Sequence, residues 1–235
     1  MRVVTTCHKE GLELYGHRWL DGRKNWPKGT DFQFYREGFD VDCPGKDFRD
    51  LPEFIEWKMK HIGYVAPGWE WDVVRYSHKV FAAADALYDY KGIGVWLDAD
   101  CITYKPISRK TIEMQVANDV YMACYQRTGL HTETGLWIVN CAHPEHKAFL
   151  DFWRNLYFSE RYKDLPQWTD CHTLDATIRA FRSRVKIYNL SGEHHTQPHP
   201  QAKSELGKYI DHTKGRRKID GFSAENTYRG HLEPT

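Results

Sequence analysis

The sequence predicts an α/β fold with a mostly parallel central sheet flanked by helices. Two observations carry this. Three short apolar runs, 92–97, 120–125 and 136–140, are rich in β-branched and aromatic residues, as expected of strands covered on both faces. Segments of helical spacing lie between and after them, so strand and helix alternate along the chain. A length of 235 residues with 41% apolar residues suits one large domain, or one domain with an extension.

Residues 1–7 read as a short buried strand that opens into a loop at Thr5 and Thr6, and 32–35 read as a second strand. The Gly-, Lys- and Trp-rich stretch between them reads as a helix followed by a loop. Residues 36–50, with Gly38, Pro44, Gly45 and four Asp, have loop composition. Residues 51–61 suit a helix. The clearest helix lies within 71–90, where Tyr76, Val80, Phe81, Ala84, Leu87 and Tyr88 form one apolar face. Arg75 and Lys79, four residues apart, stack on one side of its early turns. Helices are expected at 144–158 and 170–182, with Asn140 in a cap-like position before Pro144. A last strand is expected at 185–188. Beyond 189 the chain turns polar, so residues 1–189 are expected to form the main domain and 190–235 an extension laid over it.

Lys and Arg exceed Asp and Glu by only one. No global charge therefore draws the chain to nucleic acid or membrane, and any such attraction must be local. Aromatic content of 14% argues against whole-chain disorder. No signal peptide and no run long enough to cross a membrane is read, so a cytoplasmic protein without membrane insertion is expected. The six cysteines lack a CxxC pair and suit buried thiols.

Asp98 and Asp100 leave the 92–97 strand together. Carboxylates two residues apart project to the same side of an extended chain. In open α/β sheets ligands collect beyond the carboxyl ends of the strands. Two close carboxylates repel unless a cation lies between them, and Mn2+ or Mg2+, completed by diphosphate oxygens, is the natural choice. The competing reading is a surface turn with two solvated Asp, but such a turn needs no apolar strand ahead of it.

Val95-Trp96-Leu97-Asp98-Ala99-Asp100-Cys101-Ile102-Thr103, followed by Pro106, resembles the DxD strand of GT-A glycosyltransferases, particularly glycosyltransferase family eight. Near the end, His212-Thr213-Lys214-Gly215-Arg216-Arg217-Lys218 holds the H-x-x-G-x-x-K order that closes the donor site in that family. The family's usual Pro-Trp is replaced by Ile219-Asp220, so the local match is partial. The resemblance implies a Rossmann-like GT-A fold and a UDP-sugar donor with retention at the anomeric carbon. It implies Asp98, Asp100 and His212 as metal ligands. It also implies donor contacts from Thr5, Thr6, Arg75, Lys79, Ala99, Gly135, Gly215 and Lys218. Thr132-Glu133-Thr134-Gly135 looks like the start of the acceptor-side strand, with Glu133 facing the reacting sugar or the acceptor and Gly135 permitting close approach. Asp170 and Asp175, at the start of a later helix, complete the catalytic candidates, Asp170 being preferred although it would also serve as an N-cap. The segment from His194 to Lys218 is expected to act as a lid over the donor diphosphate.

The plainer readings are a solvated helix face for Arg75 and Lys79, a polar loop for Glu133, and an accidental match in a basic tail for the second motif. His194, His195 and His199 suggest zinc, but no cysteines stand in ligand spacing nearby. A nucleotidyltransferase also uses paired Asp, yet residues 5–11 lack the dense Gly, Arg and Lys such enzymes carry. A non-catalytic sugar- or nucleic-acid-binding module would use the local excess of basic residues at 203–218. The acceptor is a hydroxyl group of open identity: a saccharide or, as in some phage-type transferases, a hydroxylated base in DNA.

Overall fold

The computed structural model describes residues 1–229. Its strands are β1 (Arg2–Thr6), β2 (Asp31–Tyr35), β3 (Ile93–Leu97), β4 (Cys101–Thr103), β5 (Val120–Tyr125), β6 (Glu133–Asn140), β7 (Lys186–Asn189) and β8 (Ile210–His212). Its helices are α1 (Lys9–Gly11), α2 (His17–Gly22), α3 (Pro52–Lys60), α4 (Val73–Leu87), α5 (Arg109–Glu113), α6 (His146–Phe158), α7 (Asp170–Phe181) and α8 (Arg217–Asp220). Leu12–Gly16, between α1 and α2, is π-helical.

Six strands form the main sheet in the order β2-β1-β3-β6-β5-β7. β1 runs parallel to β2 and β3, and β5 parallel to β7, while β6 is antiparallel to both of its neighbours. The sheet is thus mostly parallel, as the alternation of elements predicts. Period-two alternation divides its side chains between two cores. Val4, Trp96, Trp137 and Val139 face one way, against Phe54 and Trp57 of α3 and residues of α4, α6 and α7. Val3, Val95, Leu136 and Ile138 face the other, against Trp19 of α2, Trp26 and Ile112 of α5. Trp96 and Trp137 are register partners and stack with ring centroids 6.0 Å apart.

Leu206 and Ile210 belong to the second core. Residues 190–229 therefore finish that core as well as extend the domain. β8 is not read from the sequence; it pairs antiparallel with β4, Cys101 opposite His212 and Thr103 opposite Ile210. Asp211 is fully buried, accepts a hydrogen bond from the Ser223 amide and pairs with Arg229 at 3.0 Å. Five of the cysteines are buried thiols and Cys171 is half-buried. Among the described residues no helix is long and apolar enough to cross a membrane.

Two local readings need correction. Asn140 does not cap the following helix: its side chain accepts from the Ala142 amide, and α6 starts only at His146. Asp170 is not the cap of α7. Thr169 is, accepting from the His172 amide, so the Asp170 carboxylate is left for another use.

Candidate active site

The site lies beyond the carboxyl end of β3, where α4, α7, β6 and the small β4–β8 sheet meet. Its layout follows from an irregularity in β6. The register on β5 shifts between Cys124, opposite Trp137, and Tyr125, opposite Glu133. Residues 134–136 are the surplus, and such a bulge re-aims side chains. Thr134 consequently turns toward α4 and α7, while Glu133 and Gly135 turn toward β8.

On the helix side, Lys79 of α4 is the hub. Its Nζ lies 2.8 Å from Asp98 Oδ1 and 2.5 Å from Asp170 Oδ2, and it donates to the Thr134 carbonyl at 3.1 Å. Burial alone would discharge this amine, but Asp170 and Asp98 outweigh it and hold the pKa well above that of an ordinary lysine. Thr134 Oγ1 donates to Asp170 at 2.6 Å, and the Trp96 indole donates to Asp98 at 2.6 Å. Burial pushes the Asp170 carboxyl up, yet Lys79 and Thr134 bring it below its ordinary value. A solvated helix face does not describe Lys79. Arg75, one turn earlier, does remain exposed.

On the tail side, the β4–β8 pairing sets His212 Nε2 3.2 Å from Asp100 Oδ1. Lys218 Nζ lies 2.9 Å from Asp100 Oδ2 and 4.6 Å from the Tyr15 ring centroid. Burial raises the Asp100 pKa, but His212 and Lys218 more than reverse that, so the carboxylate is held ionised. Gly135 is required here, because a Cβ would lie 2.1 Å from the His212 ring. What approaches Gly135 so closely is thus the imidazole. Glu133 is buried and pairs with Lys214, with Arg127 at 3.6 Å and His212 Nδ1 at 3.8 Å. Burial alone would raise its pKa; Lys214, His212 and Arg127 instead bring it down to about 2.

The remaining candidates are dispersed around this centre. Asp175 accepts from the Thr132 amide at 3.1 Å and its hydroxyl at 2.5 Å, which anchors the entry to β6. Thr5 is fully buried with a hydroxyl that has no partner among the described residues, and Thr6 donates to the Tyr35 carbonyl. Ala99 is buried between the two Asp. Gly215 takes φ +60° with open space around it, leaving room for a ligand against its backbone. His194 and His195 do not join His212, and His195 Nδ1 is 2.7 Å from Thr128 Oγ1.

The geometry suits a divalent cation. Asp100, Cys101 and His212 bring ligand atoms within 4.8 Å of one another. Asp100 Oδ1 is buried and, with His212 Nε2 3.2 Å away, is completed by no hydrogen bond among the described residues. The Cys101 thiol is a poor ligand here. Burial and the nearby Asp100 hold it protonated, and it lies 3.5 Å from the Gly135 carbonyl. Asp100 and His212 offer the oxygen and nitrogen donors that Mn2+ or Mg2+ prefers, whereas Asp98 lies outside this cluster, held by Lys79 and the Trp96 indole.

Sequence reasoning did not find Thr134, Lys214 or Arg127. Nothing in their spacing marks them; they enter through the bulge and the return of the tail. Lys214 does lie inside the H-x-x-G-x-x-K run. The basic excess at 203–218 is largely engaged, with Lys208, Lys214, Arg217 and Lys218 all in ion pairs.

No family model and no curated protein matches this chain. Solved structures do match in fold. The galactosyltransferase LgtC, in complex with donor and acceptor sugar analogs, has a TM-score of 0.55 at 14% identity over 92% of this chain and 88% of that one. Mouse xyloside xylosyltransferase 1, in its apo form, has a TM-score of 0.51 at 12% identity, over 80% of this chain and 84% of that one. The apo glycosyltransferase GlyE of Streptococcus pneumoniae gives 0.49 at 8% identity; this chain spans only 45% of its length. The sheet, its helices and the likeness to LgtC and the xylosyltransferase give the chain a GT-A architecture.

Proposed function

We propose that the chain is a metal-dependent glycosyltransferase that moves a sugar from a UDP-sugar to a hydroxyl acceptor, with retention at the anomeric carbon. A fold hosts many chemistries, so the reading rests on the site. The single observation that carries it is the buried Asp100 carboxylate flanked by His212 and Lys218, which the fold brings from more than 100 residues away to the Asp98-Ala99-Asp100 turn after β3.

Asp98, Asp100 and His212 would hold Mn2+ or Mg2+, which when bound offsets the charge that grows on a leaving diphosphate. Lys218 adds a second cation on the same side, and the open backbone at Gly215 can approach phosphate oxygens. Lys79 ties Asp98 to Asp170, so the DxD carboxylate and the start of α7 are held in fixed relation. Asp170, aligned by Lys79 and Thr134, orients the donor sugar. Glu133 faces the acceptor, and Asp175 acts through Thr132 as a positioning residue. Thr5, Thr6 and Arg75 line the approach of the nucleotide. The segment 213–218 closes over the diphosphate and excludes water, while the rest of the tail is built into the core.

Calorimetry with UDP, with and without Mn2+, tests the reading. Binding should require the metal and favour UDP over ATP. Equal binding of ATP and UDP would point to nucleotidyl transfer. Protease cleavage within 213–218 should slow when UDP and Mn2+ are added together, and equal protection of the free protein would remove the closing movement.

A further inference from the structure

A small, partly open cavity lies on the tail side of the site, lined by Glu133, His199, Gln201, His212, Arg217, Ser223 and Glu225. Most of its polar groups are already engaged. Glu133 is paired with Lys214, Arg217 bonds Glu225 and lies 3.4 Å from His199 Nε2, and the Ser223 hydroxyl donates to the His212 carbonyl. Gln201 differs. It is only 3% exposed, yet neither its amide nitrogen nor its amide oxygen has a partner among the described residues. Glu225 Oε2 is likewise without one. A buried amide with nothing to bond costs about 1–3 kcal/mol, and native proteins keep such groups where a ligand or water completes them.

The Gln201 backbone is fixed. Its carbonyl accepts from both the amide and the hydroxyl of Ser204, and Gly207 packs so closely that a Cβ there would lie 2.3 Å from that carbonyl. The side-chain amide is therefore presented from a rigid turn, as specificity requires. The cavity lies across β6 from Lys79, Asp98 and Asp170, on the face that Glu133 shares. Glu133, which faces the acceptor in the reading above, lines this cavity, and His212 joins it to the diphosphate end of the donor.

We propose that this cavity is an acceptor subsite that recognises one sugar hydroxyl, with Gln201 as its specificity-determining residue; the assignment to the acceptor rests on the glycosyltransferase reading above. The neighbouring charges are neutralised among themselves, so the fitting partner is neutral. The space has room for about one water-sized group. A hydroxyl, which both donates and accepts, fills it and satisfies the amide; an acetamido group is too large.

The test uses the full chain, its Gln201→Leu variant, and methyl glucoside, galactoside and mannoside with their monodeoxy analogues. Binding is read by saturation-transfer NMR, and UDP with Mn2+ separately by calorimetry. Because the amide bonds nothing inside the protein, Gln201→Leu should not lower Tm and should leave UDP affinity unchanged. It should weaken at least one hexoside about tenfold, and for one monodeoxy analogue the difference between the two proteins should vanish. Equal hexoside affinity in both proteins, no hexoside binding to the unaltered chain, or parallel loss of UDP binding in the variant would each overturn the subsite. Gln201-dependent hexoside binding without metal-dependent UDP binding would keep the subsite and overturn the donor reading.

Discussion

The end of β3 and the segment around His212 contribute to the same few ångströms of the site, but they are made in opposite ways. Asp98 and Asp100 follow directly from their strand, whose apolar run aims them beyond the sheet. His212, Lys214 and Lys218 arrive from a polar stretch whose composition resembles a loose extension. What holds that stretch is its register on β4, the burial of Leu206 and Ile210, and the Asp211 pairing with Ser223 and Arg229. A local run of apolar residues can place a pair of ligands, whereas a lone histidine needs distant packing to place it.

The sharpest break between the two regions is Asp100→Ala, since Asp100 is where they meet. Removing it should lower donor turnover about a thousandfold, and EDTA should reproduce the loss in the unaltered protein. Turnover of UDP-hexoses followed with and without Mn2+ decides it, and activity indifferent to chelation would remove the metal from the site.

Lys79→Ala probes the strand-end region alone. It strands the buried Asp170 and unties Asp98, so a stability loss of about 3–5 kcal/mol is expected in urea unfolding. A loss under 1 kcal/mol would mean that water compensates both carboxylates and that the hub is not a structural element.

Gly135→Ala probes the tail region through its single closest contact. The added methyl collides with the His212 ring. Overpacking of this kind costs about 1–3 kcal/mol, and displacement of a ligand should weaken Mn2+ binding about tenfold or more. Unaltered Mn2+ affinity would show that His212 can move and still serve.

The smallest effect lies outside both regions and supplies a reference. Asp47 accepts from the Arg49 and Gly38 amides and pairs with the Arg49 guanidinium. The Arg49 side chain is the main cause that brings its pKa from the ordinary 3.8 down to about 2, against a smaller opposing effect of burial. A carboxylate depressed in the folded state stabilises above its unfolded pKa and loses that contribution as pH falls through the folded one. Asp47→Asn loses the charge interaction with the exposed Arg49 and should therefore cost about 1 kcal/mol at neutral pH, and the gap in Tm should shrink from pH 4 to pH 2. A gap that persists at pH 2 would assign the loss to packing rather than charge.

Much of the fold follows from local pattern. Residues 120–125 are a continuous apolar run, as a strand covered on both faces requires, and the apolar face within 71–90 has helical period; both are legible because burial of apolar side chains dominates their energetics. The DxD carboxylates were readable for the same reason. β8 was not, since three residues including two polar ones have no periodicity to read, and a strand that short exists only because β4 is there to pair with it. The use of Asp170 depended likewise on distant groups. Its place at a helix start was plain, but whether it caps the helix or faces Lys79 turns on Thr169 taking the cap and on α4 lying across from it. The chain's own order of residues thus set the six strands of the main sheet, the main helices and one carboxylate pair. The imidazole, the lysine hub, the bulge that divides the site into two faces and the unsatisfied amide of Gln201 arose only on folding, because each depends on contacts between residues far apart in sequence, which local patterning does not encode.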